Sequence, residues 1–96
     1  GIHDLYQADI VEMIPHSRIN KGFKYILTVI DCFTKVAHAV PLKDKTGTSV
    51  TNGMKGILLK IGKRVKNLQT DDGKEFFNQQ FSQLMKTYSI NHYSTF

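Results

Sequence analysis

The chain has 96 residues, 41% of them apolar, and carries 13 Lys and Arg against 8 Asp and Glu for a net charge of +5. That length allows one domain around one modest core, and no apolar run approaches the roughly 20 residues that span a bilayer, so no membrane partner is expected. The positive balance suits a polyanionic partner such as nucleic acid.

Leu5 to Met13 reads as a first strand with apolar residues on both faces, as in a central strand buried on both sides. It carries Asp9, an acid that is costly there unless paired or bound to a cation. Glu12 points to the opposite face by strand alternation and is set aside as a co-ligand. Pro15 to Gly22 is polar and turn-like, a hairpin connection. Tyr25 to Ile30 is β-branched and aromatic, a second strand. Asp31 to Lys35 turns the chain, with Asp31 in an Asx-turn and Cys32 as a small buried core residue. Val36 to Leu42 is a third strand whose Pro41 a central position would not accept. These three strands form an antiparallel meander.

The period changes after Gly47. Val50, Met54, Ile57, Leu58 and Ile61 fall on one face of an amphipathic helix. Thr48 or Ser49 caps its start, Gly62 ends it, and Gly53 and Gly56 permit close packing. Lys60 to Lys66 is the densest run of positive charge, either a solvated turn between helix and strand or a phosphate-contacting loop. Val65 to Thr70 is a fourth strand, ending in Asp71-Asp72-Gly73. Asp71 therefore stands at the carboxyl edge of the sheet, the usual place of chemistry in α/β folds, and Asp72 caps the turn. Phe77, Phe81, Leu84, Met85 and Tyr88 repeat the helical spacing, with Asn78 as the expected cap. Their place on a core stripe argues against base stacking. Ile90 to Tyr93 begins a fifth strand.

The order is βββαβαβ, an α/β chain of one domain. Helical crossovers imply parallel pairing of strands one, four and five. Asp9 and Asp71 on neighbouring strands make a candidate site for a divalent metal, with Glu75 beside the metal loop. The histidines His3, His16, His38 and His92 are scattered without zinc spacing and read as structural or exposed. One cysteine and no signal-peptide zones point to a reducing compartment, nuclear or cytoplasmic.

Four ordered segments carry a resemblance. Tyr6 to Met13, Lys21 to Asp31, Pro41 to Gly47 and Leu68 to Phe76, with His92-Tyr93-Ser94-Thr95 after them, resemble the catalytic core of retroviral-type integrases, most closely those of Polinton (Maverick) DNA transposons. The resemblance implies a ribonuclease-H-like fold and a triad of carboxylates. Asp9 matches the first and Asp71 the second; a Glu about 35 residues beyond Asp71, near position 107, would be the third and lies past the end of this sequence. It further implies a two-metal reaction on DNA ends with magnesium or manganese, Asp9 bridging both ions and Asp71 holding one. DNA is the implied partner, contacted by Lys60, Lys63, Arg64, Lys66 and Lys74, and self-association is implied too. The alternative is a non-catalytic integrase remnant that binds nucleic acid or self-associates. A ribonuclease H would want more acids along the sheet than these two.

Overall fold

The computed structural model describes residues 4–13 and 21–94. Eight residues, Leu5–Glu12, form β1; Tyr25–Asp31 form β2 and Ala37–Leu42 form β3. Helix α1 spans Gly47–Ile61 and passes through a single 3-10 turn, Gly62–Arg64, into β4, Asn67–Thr70. Helix α2 spans Gln79–Thr87, and β5 spans Asn91–Ser94. The hairpin connection expected from residue 15 falls, over 14–20, outside the described residues.

The sheet order is β3-β2-β1-β4-β5. β1 pairs antiparallel with β2 and parallel with β4, β2 pairs antiparallel with β3, and β4 pairs parallel with β5. The meander, the parallel crossovers and Pro41 on an edge strand follow the expectation. β1 is the middle strand, yet it is not buried on both faces. Tyr6 and Ala8 are buried while Gln7 and Asp9 are exposed, because the described helices cover only one face of this strand.

Helix α1 lays Val50, Met54, Ile57, Leu58 and Ile61 on Leu27, Val29 and Leu42 of the sheet. Its cap lies earlier than the sequence suggests: Thr46 Oγ1 accepts the Ser49 N–H at 3.2 Å, and Thr46 in turn is held by the Asp44 carboxylate. Gly53 sits at the sheet contact, where a Cβ would lie 3.0 Å from a Leu42 methyl, whereas Gly56 faces open space. Gly62 does end the helix, but in the right-handed region, at φ −53°. Glycine is required there for room, since a Cβ would run into the Tyr88 ring.

Helix α2 is shorter than its spacing implied. Asn78 caps it, its Oδ1 accepting the Phe81 N–H at 2.9 Å, so Phe77 lies outside the helix. Phe77 is 42% exposed and stacks on His92 with ring centroids 4.4 Å apart; it is no part of the core stripe. Cys32 is half-buried in the turn after β2 and not a core residue. Among the described residues no helix is long and apolar enough to cross a membrane.

Candidate functional site

Parallel pairing of β1 and β4 aligns Leu5 with Asn67, Tyr6 with Leu68 and Gln7 with Gln69. Continuing that register by two residues sets Asp9 beside Asp71. Asp71 lies one residue past the end of β4, and both acids are exposed. Asp9 Oδ1 accepts the Ile10 N–H at 2.8 Å, and Asp71 Oδ1 accepts the Gly73 N–H at 2.8 Å. Asp71 itself therefore caps the turn, the role expected of Asp72. A carboxylate offers about four lone-pair positions, so each acid keeps acceptor capacity after its backbone bond.

The donor set fits a hard divalent cation, being two solvated carboxylates without thiolate or imidazole. It is also incomplete. Among the described residues no group of three His, Cys, Asp or Glu is placed to hold a metal ion.

Asp31 stays out for a topological reason. β2 runs antiparallel to β1, so Asp31 pairs with Tyr6 near the start of β1, while Asp9 pairs with Thr28. Its carboxylate accepts the N–H groups of Phe33 at 2.8 Å and Thr34 at 3.2 Å, the Asx-turn expected of it. Desolvation pushes this carboxyl up, and those N–H groups with the Thr34 and Tyr6 hydroxyls outweigh it, leaving Asp31 below the ordinary 3.8. Glu12 lies on the other side of β1 by alternation. Glu75 turns to Lys45, 3.7 Å away.

The basic residues divide between opposite ends of the sheet. Lys60 closes α1, Lys63 and Arg64 lie in the 3-10 turn, and Lys66 precedes β4. Lys66 is thus about 16 Å of extended strand from Asp71, at roughly 3.3 Å per residue. Of the five cations singled out from sequence, Lys74 alone follows the carboxyl end of β4. The structure adds others there. β2 starts and β3 ends at the edge where β1 ends, which brings Lys24, Lys43 and Lys45 to that side. Lys43 lies over the Phe23 ring, 5.4 Å from its centroid. No local signal marks these lysines; the strand order does.

His92 has more partners than its isolated place in the sequence suggested. Its Nε2 lies 2.8 Å from Thr70 Oγ1, and its ring packs on Phe77 and Phe81. Burial holds the imidazole below its ordinary 6.5. The unfolded chain therefore binds more protons than the folded one just below that value. Stability should be full above pH 6.5 and fall as the pH drops through it. Urea midpoints measured between pH 5 and 7 should show that slope, and His92→Gln should flatten it; an equal slope in the variant would assign it to other groups. An open cleft of 590 Å³ runs along His92, Phe77, Met85 and Lys86 between α2 and β5, but the acid pair is not part of it.

Comparison with known proteins places these features. Residues 3–95 match the family described as integrase core domain. An uncharacterised transposon-derived protein of Caenorhabditis elegans is 28% identical over 82 residues, covering 85% of this chain and 29% of that protein. The catalytic core domain of BIV integrase superposes with a TM-score of 0.78 at 18% identity, over 96% of this chain and 54% of that one. A chain of the simian T-cell lymphotropic virus intasome, solved with PP2A regulatory subunit B56 gamma, gives 0.78 at 19% identity, over 96% and 31%. The sheet and helices are those of the ribonuclease-H-like integrase cores. The chain spans less than a third of the transposon-derived relative and about half of the BIV chain.

Proposed function

The chain belongs to the integrase core domain family, and from that premise we propose that it is the DNA-processing core of a mobile element's integrase. Asp9 and Asp71 are its first two metal-binding carboxylates. The observation that supports this reading is the parallel register of β1 against β4, which pairs Gln7 with Gln69 and, carried two residues further, aligns Asp9 with Asp71, both exposed. Acids aligned in this way, 62 positions apart in sequence (71 − 9), have no turn or cap to share as a common explanation.

Magnesium or manganese bound there would supply Lewis acidity toward a phosphodiester and lower the pKa of an attacking hydroxyl. The chain's own residues do the positioning. Asp9 sits on the central strand, Asp71 in a turn closed by Gly73, and Lys24, Lys43, Lys45 and Lys74 supply positive charge on the same edge for DNA phosphates. Lys60, Lys63, Arg64 and Lys66 form a second basic surface at the far edge, suited to a more distant stretch of DNA or to a second subunit's share of it. The Polinton type is proposed on the motif resemblance, and self-association on the kinship with integrase cores.

Two carboxylates should bind manganese weakly, with dissociation in the millimolar range typical of sparse oxygen sites, on the order of 10⁻⁴–10⁻³ M. Titration followed by Mn²⁺ electron paramagnetic resonance should show that binding, and Asp9→Asn or Asp71→Asn should each remove it. Unchanged binding in both variants would sink the site assignment.

A further inference from the structure

We propose that His92 is a positioning residue for Asp71 and acts through the hydroxyl of Thr70. The inference rests on the reading of Asp71 as a metal-binding carboxylate.

The hydrogen-bond directions follow from valence. Thr70 Oγ1 lies 2.7 Å from the carbonyl oxygen of Asp71 and 2.8 Å from His92 Nε2. A carbonyl can only accept, so the single hydroxyl proton goes to Asp71. Thr70 Oγ1 must then accept from His92, and His92 carries its proton on Nε2. The result is a directed relay from His92 Nε2–H to Thr70 Oγ1, and from the Thr70 hydroxyl to the Asp71 carbonyl.

Placement explains what the relay does. β4 ends at Thr70, so Asp71 lies just beyond the last residue of the strand. Thr70 is 4% exposed and faces the helix-covered side, whereas Asp71 faces the open side. The bond from the Thr70 hydroxyl thus ties an exposed turn to the buried layer beneath it. His92 is fixed in that layer by the β4–β5 register, which pairs it with Leu68, and by its stack on Phe77. Burial also favours the neutral ring, in which the Nε2–H tautomer supplies the donor of the relay. Groups outside a metal's own ligands that orient them are commonly worth about 10- to 100-fold in metal affinity.

The test uses the 96-residue chain with two readouts: Mn²⁺ affinity, and hydrogen exchange of the Gly73 amide that closes the Asp71 turn. His92→Phe keeps an aromatic ring and loses the donor; Thr70→Val keeps the shape and loses the hydroxyl. Each should weaken Mn²⁺ binding about tenfold and speed Gly73 exchange. The double variant should be no worse than either single, because both cut the same relay. Thr70→Ser should restore both readouts to within about twofold of the parent. Folded variants with unchanged affinity and exchange, or losses that simply add, would overturn the proposal. Nitrogen-15 spectra of the unsubstituted chain decide the matter even where a variant fails to fold: His92 must be the neutral Nε2–H tautomer, and an Nδ1–H ring refutes the relay. Should the parent chain bind no Mn²⁺, the metal reading fails by itself, and Gly73 exchange still judges the role of His92.

Discussion

Replacing Asp9 or Asp71 by Asn in an integrase core completed by a third carboxylate should lower metal-dependent DNA cleavage and joining by on the order of a thousandfold or more. The reason is charge. An amide keeps the size of the carboxylate but contributes no negative charge to hold a divalent ion, and no other described acid stands close enough to replace it. DNA binding should survive, because it depends on lysines and falls with salt for both parent and variant. The 96-residue chain itself should neither nick nor join DNA, since two carboxylates do not fix ions in the geometry of in-line displacement. Extending it by a segment that supplies a Glu about 35 residues past Asp71 should restore the reaction. Supercoiled plasmid and labelled DNA ends, with magnesium and with manganese, measure each of these outcomes. Strong cleavage by the short chain, or an extended chain indifferent to Asp71, would reject the mechanism.

The second large effect concerns stability and separates two phenylalanines that share one sequence pattern. Phe81 is fully buried, packs edge-on against Phe76 with centroids 5.6 Å apart, and touches the His92 ring. Phe81→Ala should cost about 3–5 kcal/mol, through lost burial and the cavity left behind. A domain of this size has only roughly 5–14 kcal/mol in total, so the melting temperature should fall by at least about 12 °C. Phe77→Ala removes a ring that is already 42% exposed and should cost less than about 1.5 kcal/mol. Urea and thermal unfolding of the two variants compare them directly. Equal losses would mean that Phe77 belongs to the core after all.

Much of the fold could be read along the chain because its signals are local. β-branched runs, the period of α1, the Asn78 cap and Pro41 at an edge each follow from a few neighbouring residues, and βββαβαβ with its parallel crossovers follows from their order. The differences have two sources, a competing local contact and a tertiary one. Thr46 caps α1 in place of Thr48 or Ser49 because the Asp44 carboxylate, two residues before it, holds it. Phe77 kept the helical spacing, yet the Asn78 cap excluded it from the helix and His92 drew it into a stack. Gly62 ended α1, but Tyr88, 26 residues later (88 − 62), set the need for glycine.

The candidate site divides in the same way. An acid within a strand and an acid at a strand's carboxyl end were conspicuous in the sequence, the first because a strand expected to be buried disfavours it and the second because chemistry in α/β folds gathers at that edge. Only the pairing of β1 with β4 brings them together, and only the antiparallel sense of β2 takes Asp31 away. Charge shows the limit most clearly. Lys60 to Lys66 stands out in the sequence because its cations crowd into one short stretch, yet it lies at the edge of the sheet away from Asp71. Lys24, Lys43, Lys45 and Lys74 are scattered along the chain, and strand order brings them to the end of the sheet that carries the acids. Electrostatic fields act through space, so a charged surface is decided by strand order and not by spacing along the chain.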